Sequence, residues 1–277
     1  MRHDNAMIYK TLVTTNILST NMAQLRYSVC TLVTDKDAYA RMLESFVDSG
    51  FSRKNTEYLY LDNTITNNTD AYTAINKFLT AAKGEYVIIC HQDILLNYDK
   101  IEKLEDCIAQ LNNLDPSWAL LGNAGGVNLG RLAIRISDFH GIDTKTEKLP
   151  VKVQSLDENL ILIRKDANLG VSRDLKGFHL YGLDLCILAK IRGYAAYVVD
   201  FHLSHLGIGK IDVSFHECKR NMIKKYAKVF SGNFYQTPCT SFYMSSINLL
   251  NKIMNYRHVH KQIIKYYKKK NMAYQKY

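Results

Sequence analysis

The chain has 277 residues, 47% of them hydrophobic, and carries 36 Lys and Arg against 26 Asp and Glu, a formal net charge of +10. It is long and apolar enough to bury a large core as one α/β domain, or one domain with an appendage, and the absence of any 18-residue apolar run argues against a transmembrane helix. The charge is lopsided: Glu217 is the last acid and 13 Lys and Arg follow it, whereas the first 217 residues hold 23 basic and 26 acidic side chains. Such a tail suits an anionic partner: membrane headgroups, nucleic acid or another polyanion.

Residues 1–26 lack a sustained apolar segment and a small-residue cleavage site, so they are expected to be an extension and not a secretory signal. "YSVCTLVT" (27–34) is β-branched and apolar, a strand, and the following Ala38, Met42, Leu43, Phe46 and Val47 recur at helical spacing up to Gly50. "EYLYLDNT" (57–64) is a second strand. The stretch 67–84 reads as a helix, with Thr69 and Asp70 as cap candidates and Gly84 as its stop. "YVIIC" (86–90) is a third strand, which ends in His91, Gln92 and Asp93. Strand–helix alternation of this kind predicts a mostly parallel sheet with helices on its faces.

Further along, 98–113 is an amphipathic helix and 118–127 a strand entering a Gly-rich turn, while 128–150 shows no regular pattern. The stretch 150–167 reads as strands around Asp157 and Glu158. A helix lies within 178–194, and "AAYVVDFHLSHLG" (195–207) is a strand delivering His202 and His205. The six cysteines are scattered, with no CxxC pair, which fits a reducing, cytoplasmic setting. In an open α/β sheet, ligands sit beyond the carboxyl ends of the strands. Three strands end there in polar groups: Thr34-Asp35, Asp62-Asn63 and His91-Gln92-Asp93.

The segments "AINKFLTAAKGEYVIICHQDILL", "LDENLILIRK" and "FHLYGLDLCILAKIRGYAAYVVDFHLSHLG" together resemble the nucleotide-sugar glycosyltransferases of the GT-A fold. More narrowly, they resemble the family-2-like group related to the streptomycin-biosynthesis StrF protein. The resemblance spans roughly 27–210 and implies three regions: the extension 1–26, a GT-A catalytic domain at 27–215, and a basic, helical region at 216–277. It implies a nucleotide-sugar donor, a glycan or lipid-linked glycan acceptor, an inverting transfer, and Mn2+ or Mg2+ held by oxygen ligands with an imidazole.

Residue by residue, the resemblance makes Asp93 the metal ligand at the last acid of a DxD-type motif, with His91 in place of the first acid. It makes His205 the second metal contact, with His202 as its competitor on the opposite strand face. Asp184 would be the general base, and Gly182 stands where the family often has another acid. Thr34, Asp35, Asp62, Asn76, His91 and Gln92 would bind the donor nucleotide. Asp157 and Glu158 line either the acceptor side or a solvated strand end. Plainer roles remain open: Asp93 and Asp184 as helix caps, and His91 as a core histidine.

The segment 247–277 places Ile, Leu, Met and Tyr on one side and Lys, Arg and His on the other. Such a basic amphipathic helix suits the inner face of the cytoplasmic membrane, or packing on the body or a second copy. The competing function is an anionic-surface or nucleic-acid-binding α/β protein using this tail. No nucleic-acid motif or phosphate-binding GxxxxGK[ST] loop accompanies it, which makes nucleic acid the weaker partner.

Overall fold

The computed structural model describes residues 25–66, 69–209, 211–227 and 232–274. The expected extension 1–26 therefore lies outside the described residues except for Leu25 and Arg26. In chain order the elements are β1 (Tyr27–Val33), α1 (Lys36–Asp48), β2 (Thr56–Asp62), α2 (Ala71–Ala81), β3 (Tyr86–Cys90), β4 (Ile94–Leu95) and α3 (Ile101–Leu114). Next come β5 (Trp118–Gly122), β6 (Ala124–Asn128), β7 (Arg131–Ser137), β8 (Asp143–Lys145), β9 (Val151–Val153), β10 (Ser155–Leu156) and β11 (Leu160–Arg164). Then follow α4 (Tyr181–Ile191), β12 (Ala195–Val198), β13 (Leu203–His205), α5 (Val213–Tyr226), β14 (Asn233–Gln236), β15 (Ser241–Met244), α6 (Asn248–Met254) and α7 (Arg257–Tyr274).

The central sheet has seven strands in the order β2-β1-β3-β11-β5-β12-β9. β2, β1, β3, β5 and β12 run one way, and β11 and β9 run against them. Helices cover both faces, as the alternation of helical and strand patterns predicts. Both faces are buried, so the strands read as unbroken apolar runs and their residues are dealt alternately to two cores. Tyr86, Ile88 and Cys90 of β3 join Met42 and Phe46 of α1 and Leu104 and Leu111 of α3. Val87 and Ile89 join Ile75 and Phe78 of α2 and Leu183 and Ile187 of α4.

Among the described residues three helices begin at an Asp cap, with Asp212 accepting from Phe215 N at the start of α5. Asp35 accepts from the backbone N–H groups of Asp37 and Ala38, and Asp70 from those of Tyr72 and Thr73. A second sheet of short strands, β10-β6-β7-β13-β4 with β8 against β7, flanks the first. The stretch 128–150 is therefore not irregular, because it contains β7 and β8. The charges in "RLAIRIS" obscure the strand, but Arg135 is spent on Asp200, 3.1 Å from its Nε, and on Asp143.

The boundary expected at 215 falls inside α5, whose Phe215, Cys218, Met222 and Tyr226 join the core of α2 and α4. The region 216–277 is not wholly helical, since β14 and β15 form an antiparallel hairpin within it. The tail helix is also divided, between α6 and α7. At the break, Asn255 bonds to Tyr243 in the manner of a backbone unit: Oδ1 accepts from Tyr243 N at 2.9 Å and Nδ2 donates to Tyr243 O at 2.8 Å.

Candidate functional site

The carboxyl ends of β1, β2, β3, β5 and β12 share one edge of the sheet. Because β11 runs oppositely, its start reaches the same edge: Leu160 pairs with Cys90, and His91 N donates to Asn159 O at 3.0 Å. This turns Asp157 and Glu158, just before β11, toward the end of β3. The second sheet brings in the last piece. β13 pairs with β4, setting His205 opposite Ile94, and Leu206 N donates to Asp93 O at 2.9 Å.

These pairings gather His91, Asp93 and His205. One ligand atom from each lies within 4.8 Å of the others. Asp93 Oδ1 is 3.5 Å from His205 Nε2 and 3.8 Å from His91 Nδ1, ion-pair distances that are long for hydrogen bonds. The same Oδ1 is buried and makes no hydrogen bond among the described residues. A buried carboxylate oxygen facing two imidazoles without a hydrogen bond is costly unless something else meets it. A divalent cation fits this donor set of one hard oxygen and two nitrogens.

Gly207 closes the cradle. A Cβ there would lie 2.2 Å from Asp93 Oδ2 and 3.0 Å from His205 Nε2, so a side chain would displace the carboxylate. Burial pushes the Asp93 carboxyl up, but the adjacent His205 and His91 outweigh it and hold it below its ordinary value. Burial and the neighbouring His205 push His91 down. Burial opposes a charged His205, and the Asp93 carboxylate reverses that and raises it.

His202 goes elsewhere. Its ring stacks on Tyr98 with centroids 3.8 Å apart, and Nε2 lies 2.9 Å from Ser137 Oγ. Of the two histidines, it is His205 that meets Asp93, and strand alternation separates them.

Beside the cation cradle opens a cleft of about 220 Å³. Thr34, His91, Gln92 and Asp93 line its polar side, and Ile75 and Phe78 of α2 its apolar side. Gln92 clamps two strand tips together: Oε1 accepts from Thr34 N at 2.8 Å and Asp35 N at 3.0 Å, and Nε2 donates to Thr34 Oγ1 at 2.7 Å. Tyr181 closes the far end, its hydroxyl 3.1 Å from His91 Nε2 and donating to Glu158 O at 3.2 Å.

The other predicted nucleotide residues lie outside the lining of this cleft and have structural partners. The Asp35 carboxylate caps α1. Asp62 accepts from Thr64, chiefly its hydroxyl, which brings its pKa down to about 2, and pairs with Lys36 at 3.2 Å. Asn76 locks α2 to Val171, donating to its O at 3.0 Å and accepting from its N at 3.2 Å.

Asp184 lies outside the lining of the cleft. Its side chain is 0% exposed. Its carboxylate accepts from Ser172 N at 2.7 Å, from Ser172 Oγ at 2.8 Å, and from the Tyr226 hydroxyl. The N-terminal turn of α4 is buried throughout, so the carboxylate there faces the core. Burial raises its pKa despite these three donors. The glycine two residues earlier has a steric cause: a Cβ on Gly182 would lie 2.3 Å from Leu156 O.

Just before β11, the Glu158 carboxylate meets the first turn of α4. It accepts from Gly182 N at 3.3 Å, and burial, with Asp157 adding to it, pushes its pKa up to about 8. From sequence it reads equally well as a solvated strand end. Only the reversed direction of β11 brings it beside His91.

No family model matches the chain. Among solved structures it is similar to a mannosyltransferase, PcManGT, from Pyrobaculum calidifontis in complex with GDP-Man and Mn2+, at 15% identity and a TM-score of 0.48, over 73% of this chain and 63% of that one. It is also similar to residues 1–349 of S. aureus TarS, at 14% identity and a TM-score of 0.42, over 73% of this chain and 65% of that one. Among curated proteins it is 37% identical over 226 residues, 79% of this chain and 91% of the relative, to the Fuscovulum blasticum protein called ATP synthase subunits region ORF 6. With that identity over that length, the chain belongs to the family of ATP synthase subunits region ORF 6.

Proposed function

We propose that the chain is a glycosyltransferase of the GT-A type that moves a sugar from a nucleotide-sugar donor to a glycan or lipid-linked glycan. The observation that carries the reading is the cradle of His91, Asp93 and His205 at the carboxyl edge of a mostly parallel sheet, opening on a cleft with one polar and one apolar wall. Asp93, His205 and His91 would hold a divalent cation, and that ion would supply positive charge to a departing nucleoside diphosphate. The apolar wall formed by Ile75 and Phe78 suits a nucleobase, and Thr34 at the tip of β1 suits its polar edge.

An incoming hydroxyl must lose its proton to a group at the open edge. Glu158 is better placed for this than the sealed Asp184. Its main-chain carbonyl is linked to His91 through the Tyr181 hydroxyl, and the raised pKa of its carboxyl suits a base working near neutrality. Attack from the side opposite the diphosphate inverts the anomeric carbon. The transfer is expected to proceed in the cytoplasm, where nucleotide sugars are made.

The test is sugar-nucleotide binding and turnover with Mn2+, measured for wild type and Asp93→Ala. Loss of Mn2+-dependent donor binding in the variant supports the reading. Unchanged affinity and turnover in a folded Asp93→Ala protein would sink it.

A further inference from the structure

The hairpin β14–β15 is fastened to the body. Ser155 Oγ donates to Gln236 O at 2.6 Å, and Gly130 N donates to Gln236 Oε1 at 2.8 Å. α6 hangs from the end of this hairpin by one buried side chain, Asn251. Its Oδ1 accepts from Ser245 N at 2.7 Å and its Nδ2 donates to Ser245 O at 2.8 Å. The rest of this short element is turned outward. Leu249 is 65% exposed and Ile253 46%, with Ile247 and Leu250 beside them and Tyr256 just beyond. Contiguous aliphatic side chains facing water mark a contact surface.

The chemistry around the patch says what covers it. Lys252 lies three residues from Leu249 on α6, so the two share one side of the helix, and the exposed Tyr256 follows at the break before α7. Arg257, Lys261 and Lys265 continue as exposed cations along α7, and no acid follows Glu217 anywhere in the sequence. α7 is held to the body where Asn271 Nδ2 donates to Asn128 Oδ1 at 3.3 Å. A second copy of the chain would bring two cationic faces together at the cost of their repulsion. Nucleic acid would engage the lysines and tyrosines but leave Leu249 and Ile253 in water. An anionic bilayer satisfies both: aliphatic chains enter the acyl boundary, Tyr256 sits at headgroup level, and lysines meet phosphates. No helix among the described residues is long and apolar enough to cross a membrane.

We infer that α6 and the first turns of α7 form a docking face for an anionic lipid surface, with Leu249 and Ile253 as the inserted side chains and Lys252, Arg257 and Lys261 as the electrostatic contacts. The turn of the same hairpin carries Cys239, an exposed thiol.

The experiment is flotation of the full chain with vesicles of phosphatidylcholine alone and of phosphatidylcholine mixed with phosphatidylglycerol, across a salt series. Wild type should bind only the mixed vesicles and bind less as salt rises. Lys252→Glu and Lys261→Glu should each lower the partition constant by roughly fivefold or more. Leu249→Ser with Ile253→Ser should weaken binding and remove what persists at high salt, with an unchanged melting temperature showing that the body is folded. Equal binding to both vesicle types, or to neither, overturns the inference. So does self-association of wild type that the serine double variant abolishes, which would make the patch a protein interface. Tight oligonucleotide binding indifferent to that double variant, without vesicle binding, overturns it in favour of nucleic acid. Flotation needs neither cation nor donor, so its failure leaves the reading of the cation cradle intact.

Discussion

Replacing Asp184 separates a structural role from a catalytic one. In Asp184→Ala three donors lose their acceptor: Ser172 N at 2.7 Å, Ser172 Oγ at 2.8 Å and the Tyr226 hydroxyl, all at buried residues. A hydrogen bond to a charged group contributes about 1.5–3 kcal/mol, so the three together come to roughly 4–9 kcal/mol. Burial already raises the carboxyl, so removing the acid also relieves part of a desolvation cost. Water entering the vacated space recovers more, leaving a net loss of about 3–4 kcal/mol. For a chain of this size that corresponds to a fall in melting temperature of about 10 °C.

Asp184→Asn keeps an acceptor for Ser172 N, and a hydroxyl can rotate to accept from the new amide, so about 1 kcal/mol is expected. Calorimetric unfolding of the three proteins, read alongside turnover at a temperature where all are folded, decides the matter. The reasoning is refuted if Asp184→Ala melts with the wild type while turnover disappears, for then the carboxylate faces the reacting alcohol.

Gly207→Ala should leave the fold intact but weaken Mn2+ binding about tenfold or more by displacing Asp93, in proportion to the loss seen on disturbing other metal-site geometries. Titration followed by electron paramagnetic resonance reads this directly, and wild-type affinity would show that the loop yields. If Glu158 is the base, its ionised form is the active one. Turnover should then rise with pH through about 8 and be lost below it, and Glu158→Gln should remove that limb. A pH profile of kcat/KM that keeps the same limb in Glu158→Gln assigns the titration to another group.

Much of the scaffold is legible in the sequence because its signals are local. The apolar runs at 27–33 and 86–90, the cap Asp70, and the helical spacing of Ala71, Ala74, Ile75 and Phe78 each follow from contacts a few residues apart. The polar tips Thr34 and His91-Gln92-Asp93 are legible too, since a parallel strand must end at the ligand edge. The charge asymmetry needs no structure at all.

The division of labour among the polar residues belongs to the tertiary fold. Whether His202 or His205 meets Asp93 depends on the pairing of β13 with β4, a contact across more than a hundred residues. That Glu158 lies next to the end of β3 depends on β11 running against its neighbours. Asp184 sits in a motif that reads as catalytic, yet α5 arrives from 42 residues further on and seals it with Tyr226. Sequence fixes which side chains can carry charge or bind a cation. Which of them face the cleft is set by long-range pairing and burial, whose energies no local pattern encodes.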